Sequence, residues 1–212
     1  MNRDPRPKPE SDLQAHVSQD VAWQDSKVSA DARMKLLRQQ PATVWLTGLS
    51  GAGKSTIGFE LERRLMAAGR LAFVLDGDNI RHGLSRDLGF SHEDRSENIR
   101  RIAEVAKLIN DAGLIVITSF ISPYRADRAL AREIIGSEQF IETHLCTDLQ
   151  ECERRDPKGL YKKVREGKIA EFTGITAPYE APDFPELAID TAKSSVEQSV
   201  AAIMEKLSPR FE

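Results

Sequence analysis

Gly48-Leu49-Ser50-Gly51-Ala52-Gly53-Lys54-Ser55 is the stretch whose reading decides the fold. It follows an apolar, β-branched run, Thr43-Val44-Trp45-Leu46-Thr47. It precedes apolar residues at Ile57, Leu61 and Leu65, whose spacing is helical. Strand, glycine loop and helix in that order are what a phosphate-binding loop requires. Gly48, Gly51 and Gly53 can adopt backbone conformations closed to residues with a Cβ, and they let the main chain approach an anion closely. The amides from Gly48 through Leu49, Ser50, Ala52 and on to Thr56 would then form a nest at a helix N-terminus. Lys54 would reach the β- and γ-phosphates of a nucleotide, and the Ser55 hydroxyl would ligate Mg²⁺.

Working outward, the chain has 212 residues, which suits one α/β domain plus a tail. Hydrophobic residues make up 40%, enough for a core, and charged residues make up 30% but nearly cancel, at net -3. That balance argues against nucleic acid as a partner, because basic residues gather only after Arg154. No apolar run approaches membrane-spanning length, so no membrane partner is expected. Met1-Asn2-Arg3-Asp4-Pro5-Arg6-Pro7 lacks the apolar core of a signal peptide. Cys146 and Cys152 fit a reduced cytosol better than a disulfide framework. Cys146 ends an apolar run and is expected to be a buried small hydrophobe. His16, His82, His92 and His144 show no metal-ligand spacing.

Residues 1–20 are polar and rich in proline and charge, and are expected to be a disordered tail. Residues 21–41 read as an ordered arm with a short helix capped by Ser29. Residues 42–212 form the main domain. After the first helix, Leu71-Ala72-Phe73-Val74-Leu75 reads as a buried strand running into Asp76-Gly77-Asp78-Asn79-Ile80-Arg81. Two carboxylates at a strand's carboxyl end fall where ligands bind in open parallel sheets. Ser91-His92-Glu93-Asp94 has the form of a helix cap, and Arg95 and Asn98 share a face of that helix's first turn. Leu114-Ile115-Val116-Ile117-Thr118 is a continuous apolar strand without the acidic residue usual at its end. A metal would therefore draw on Asp76 or Asp78. Ser122 is placed to cap a helix from Pro123. Between Arg154 and Tyr179 the strand-helix rhythm breaks into a basic, glycine-punctuated stretch, read as a lid over about 154–179. The alternative is an exposed basic helix. The whole predicts an α/β, three-layer fold of the P-loop NTPase type with a mostly parallel sheet.

Taken together, several stretches resemble the adenylyl-sulfate kinase family. They are the glycine loop, Asp76-Gly77-Asp78-Asn79-Ile80-Arg81-His82-Gly83-Leu84, Asp87-Leu88-Gly89-Phe90, and Arg95-Ser96-Glu97-Asn98-Ile99-Arg100-Arg101. Ser119-Phe120-Ile121-Ser122-Pro123-Tyr124-Arg125, Lys158-Gly159-Leu160-Tyr161-Lys162 and Phe172-Thr173-Gly174-Ile175 complete the set. The resemblance covers the chain from about Val21 onward, with Ala52 standing where many members have Ser. It implies transfer of the ATP γ-phosphoryl group to the ribose 3′-hydroxyl of adenylyl sulfate. Lys54 and Mg²⁺ would stabilise the moving charge, with Ser55 and Asp76 holding the metal. Asp78 would meet the 3′-hydroxyl as orienter or base. Arg81, Arg95 and Asn98 would hold the acceptor, and Phe90 and Phe172 would sandwich its adenine. Ile121, Ser122 and Lys158 match family substrate positions, and Ser122 matches the family's phosphoserine, although direct in-line transfer needs no covalent intermediate. The resemblance further implies a cytoplasmic homodimer working in sulfate assimilation.

Rival readings are a gluconate or nucleoside kinase of the same fold, and a non-catalytic nucleotide-binding scaffold. The stretches Asp76 to Leu84 and Phe172 to Ile175 stand against the first, and intact Lys54, Ser55, Asp76 and Asp78 against the second.

Overall fold

A computed structural model describes Ala22 and residues 24–211. The expected tail over residues 1–20, and Val21 and Trp23 of the arm, lie outside the described residues.

Five strands carry the fold: β1 (Ala42–Thr47), β2 (Ala72–Asp76), β3 (Ile115–Ser119), β4 (Phe140–Leu145) and β5 (Leu187–Ile189). They form one sheet in the order β2-β3-β1-β4-β5, with every pairing parallel. A parallel sheet needs cover on both faces, and β1 is buried along its whole length. Its side chains alternate between two cores. Val44 and Leu46 join one with Ile115 and Ile117 of β3, while Trp45 joins the other with Val116 and Phe140.

Eight helices surround the sheet among the described residues: α1 (Ala30–Leu37), α2 (Lys54–Ala67), α3 (Gly77–Arg81), α4 (His92–Asp111), α5 (Arg125–Ile135), α6 (Leu149–Arg155), α7 (Leu160–Arg165) and α8 (Val196–Leu207). α2 buries Ile57, Leu61 and Leu65, the three residues whose spacing marked it, against Val200, Ile203 and Leu207 of α8. On the opposite face α4 buries Ile99, Ile102, Ala103 and Ala106 beside Ala131 and Ile135 of α5. These are the three layers expected.

Caps mark the helix starts. Ser29 accepts from the Ala32 amide and opens α1, as its position suggested. Ser91 accepts from the Asp94 amide and opens α4. Ser195 and Gln198 form a reciprocal capping box on α8. The arm is fastened by one buried amide. Gln39 donates from Nε2 to the carbonyls of Leu71 and Gly113, and its Oε1 accepts from the Leu71 N–H.

Two expectations are corrected. Ser122 does not cap a helix from Pro123. α5 begins at Arg125, and the Arg125 amide is capped by the Glu180 carboxylate at 2.8 Å, from a segment remote in sequence. Cys146 is exposed, and Cys152 is the buried cysteine. Cys146 lies one residue past the end of β4, where the strand leaves the core, whereas Cys152 sits on the inward face of α6.

Leu61 is fully buried between the sheet and α8. Leu61→Ala should lower unfolding free energy by about 2–5 kcal/mol, as deletions in packed cores do. Chemical denaturation measures this, and a loss below about 0.5 kcal/mol would contradict the packing of α2 described here.

Candidate active site

All five strands point their carboxyl ends at one edge, so the loops leaving them meet there. The β1–α2 loop is the glycine loop. Gly48, Gly51 and Gly53 all have positive φ, at 149°, 79° and 94°. At Gly51 the lack of a side chain is also a packing need, because a Cβ would stand 2.8 Å from the Cys152 carbonyl oxygen of α6. The loop is held from below as well. Arg155 donates to the Gly51 carbonyl at 3.3 Å and to the Thr191 hydroxyl at 2.7 Å. Thr191 in turn donates to the Ala52 carbonyl, and the Tyr161 hydroxyl donates to the Ser50 carbonyl.

Lys54 begins α2 and is buried, with its ammonium donating to the Gly48 and Leu49 carbonyls at 2.8 and 2.7 Å. Burial pulls its pKa down to about 8, a drop partly opposed by the neighbouring Cys152 and the two aspartates. The side chain thus lies inside the loop, mostly charged at neutral pH, with the loop's carbonyls accepting from it and the two aspartates nearby.

Beside it, the ends of β2 and β3 are neighbours, with Asp76 in register with Ser119. The Ser55 hydroxyl donates to Asp76 Oδ2 at 2.7 Å and lies 3.3 Å from the Ser119 hydroxyl. Asp76 is buried, and its other oxygen caps α3 by accepting from the Asp78 amide. The set is one carboxylate and two hydroxyls, hard oxygen donors of the kind Mg²⁺ takes. No three His, Cys, Asp or Glu side chains gather into a metal site among the described residues. A cation at Ser55 and Asp76 would complete its shell with water and substrate phosphate oxygens, as Mg²⁺ does.

Asp78 is exposed two residues on and forms an ion pair with Lys158. Farther out, Arg81 donates to the carbonyls of Leu88 and Gly89, and its guanidinium stands 4.3 Å over the exposed Phe90 ring. Arg95 approaches the same ring, donates to the Phe90 carbonyl at 2.8 Å and reaches Thr173 Oγ1 at 3.0 Å. Arg95 therefore ties the Phe90 loop to the Phe172 loop. Phe172 itself is buried, edge-on to Tyr161. Asn98 is buried on α4, and its carbonyl oxygen has no hydrogen-bond partner among the described residues. The Phe172 loop lies against the glycine loop: at Gly174, with φ 91°, a Cβ would stand 2.8 Å from Leu49 Cδ2.

Two expected site residues follow β3 at this edge and bond to β1. Ser122 is 2% exposed, with φ 40°, and its hydroxyl accepts from the Trp45 indole N–H at 3.2 Å. It faces the core under β1. Ile121 contributes a carbonyl that accepts from Thr47 Oγ1 at 2.7 Å. In the basic stretch, Lys162, Lys163 and Arg165 do lie on a short helix, α7, whose Tyr161 and Val164 join the core. Arg154, Arg155, Lys158, Arg165 and Lys168 each have a carboxylate partner.

Sequence reasoning missed Thr47, Thr147, Tyr179 and Thr191, and read Arg155 only as one of several charges. Thr147 and Thr191 join at 2.7 Å across the ends of β4 and β5, and Thr47 and Tyr179 meet at 3.0 Å. Single threonines after strands carry no pattern that would have marked them.

The family model for adenylylsulphate kinase matches residues 40–190. The chain belongs to the adenylylsulphate kinase family. An adenylyl-sulfate kinase of Staphylococcus epidermidis is 53% identical over 190 residues, covering 90% of this chain and 96% of that protein. One of Vibrio cholerae is 52% identical, covering 91% and 89%. The solved structure of the Mycobacterium tuberculosis APS kinase CysC, in complex with AMPPNP and APS, superposes with TM-score 0.78. It shares 47% identity and covers 80% of this chain and 99% of that one. Every stretch that carried the family resemblance falls inside the matched span.

Ser122→Ala should cost about 1–3 kcal/mol of stability, because the Trp45 indole N–H is left buried without an acceptor. Turnover should stay within about threefold at a temperature where the variant is folded. A fall of a hundredfold with the fold intact would instead make the hydroxyl a chemical participant.

Proposed function

We propose that the chain transfers the γ-phosphoryl group of ATP to the ribose 3′-hydroxyl of adenylyl sulfate, giving 3′-phosphoadenylyl sulfate and ADP. The observation that carries this reading is a juxtaposition on one sheet edge. The phosphate loop with Lys54 and Ser55 lies beside Asp76, and the Asp78–Lys158 pair leads on to the Arg81–Phe90–Arg95 cluster. Donor and acceptor sites of a phosphoryl transfer must adjoin in this way.

Such transfer needs positioning and charge stabilisation more than covalent help. The loop amides and Lys54 would hold the β- and γ-phosphates. Lys54 would exchange two carbonyl acceptors for phosphate oxygens, a stronger charge-assisted bond. Ser55 and Asp76 would hold Mg²⁺, which would neutralise charge on the transferred group. Asp78 would orient or deprotonate the 3′-hydroxyl, released for that task as Lys158 turns to the phosphosulfate. Arg81 and Arg95 would hold the acceptor's anionic group, Asn98 would offer its free carbonyl oxygen, and Phe90 would stack on the adenine, with Phe172 opposite once the loop shifts. Residues 154–179 would act as the lid that excludes water. We assign residues 21–41 as an N-terminal arm and 42–212 as the kinase domain to which Gln39 fastens it.

Mixing protein, Mg-ATP and adenylyl sulfate should release ADP and 3′-phosphoadenylyl sulfate in equal amounts, with no ADP from gluconate or nucleosides. Asp78→Ala should lower kcat by about a hundredfold or more, the usual contribution of a positioned acid–base group. Equal turnover of gluconate would overturn the acceptor assignment.

A homodimer in the cytoplasm is the assembly and location proposed, supported by the family resemblance. No described helix is long and apolar enough to cross a membrane. Size-exclusion chromatography with light scattering should give twice the mass of the 23.7 kDa chain, and a monomer at micromolar concentration would refute it.

A further inference from the structure

Arg128 lies on α5, outside every stretch discussed so far, and is 3% exposed. Its guanidinium donates to three separate parts of the chain. Nε reaches Glu142 Oε1 of β4 at 2.7 Å, one terminal nitrogen reaches the Ser122 carbonyl at 2.6 Å, and the other reaches the Glu180 carbonyl at 2.7 Å. Glu142 alone would answer the buried charge. The two carbonyls answer the fork geometry, which a lysine cannot reproduce.

Each carbonyl belongs to a segment that needs holding. Ser122 has φ 40° without being glycine, a conformation that persists only where its surroundings impose it. Trp45 holds its hydroxyl from one side and Arg128 holds its carbonyl from the other. Glu180 is stitched to the same loop three ways: its N–H donates to the Pro123 carbonyl, its carboxylate accepts from the Arg125 amide, and its carbonyl takes Arg128. Arg125 Nε adds a bond to the Ala181 carbonyl. Next to Glu180, the Tyr179 hydroxyl meets Thr47 Oγ1, which donates to the Ile121 carbonyl and immediately precedes Gly48. Upstream, the Phe172–Ala177 loop closes on itself, with Ala177 donating to the Phe172 carbonyl and accepting from Gly174. Only Pro178 separates that loop from the anchor.

We propose that Arg128 is a positioning residue that locks the β3–α5 loop and the 179–181 segment into one body, and so sets where Phe172 meets the acceptor. This rests on the acceptor reading above. Arg128 itself touches neither the phosphate loop nor Asp78 in any bond described.

The test compares the wild type with Arg128→Lys and Tyr179→Phe. Arg128→Lys should raise KM for adenylyl sulfate by about tenfold or more, while Kd for ADP stays within about twofold and kcat at saturating acceptor within about fivefold. Tyr179→Phe should shift the same KM in the same direction by a smaller factor. Backbone amide exchange at Arg125 and Glu180 in the free protein should quicken in Arg128→Lys, independently of any acceptor. A lowered melting temperature with KM and amide exchange unchanged would overturn the proposal, as would equal weakening of ADP and acceptor. Should Arg128→Lys fail to fold, an unchanged KM in Tyr179→Phe overturns it. Failure of the wild type to use adenylyl sulfate would strike the acceptor reading alone, since amide exchange still reports on the anchor.

Discussion

Parallel pairing of β1 with both β3 and β4 is the constraint on which everything else depends. Parallel strands must return to the same end, so each connection passes over a face and each face becomes buried. Their carboxyl ends then collect at one edge, and with them the glycine loop, Asp76, Ser119 and the loop through Ser122. The candidate site residues come together because the topology leaves them nowhere else to go.

That edge carries a dense set of polar groups that must be satisfied out of water. The chain meets this with interlocking partners rather than isolated pairs. Thr191 links the Ala52 carbonyl, Thr147 and Arg155, so the base of the phosphate loop is built from the ends of β4, β5 and α6. Lys54 donates to the Gly48 and Leu49 carbonyls of the same loop. Arg128 likewise joins Glu142, Ser122 and Glu180. Leaving one buried partner unmade costs more than a hydrogen bond contributes, so such networks hold a single arrangement.

The departures from sequence-based expectation share a cause. Ser122 looked like a helix cap because a hydroxyl before proline so often is one, but the cap on α5 is Glu180. Cys146 looked buried because it ends an apolar run, but the run leaves the core one residue earlier. In the basic stretch read as a lid, Glu151, Glu153, Glu166 and Asp78 supply carboxylate partners that composition alone does not reveal.

What the sequence determined by itself were the features with local physical signatures. The glycine spacing sets the backbone of the phosphate loop, the apolar periods of α2, α4 and α8 set their buried faces, and the hydroxyls before α1 and α4 set their starts. The paired aspartates after β2 were legible because a carboxylate there follows from chain direction alone. Tertiary structure decided which side chains meet across the edge. Thr47 with Tyr179, Thr147 with Thr191, and Arg128 with Glu180 are contacts between residues far apart in the chain, and no local period encodes them. A hydrogen bond needs its partner within about 3 Å, and only the folded sheet brings those partners that close.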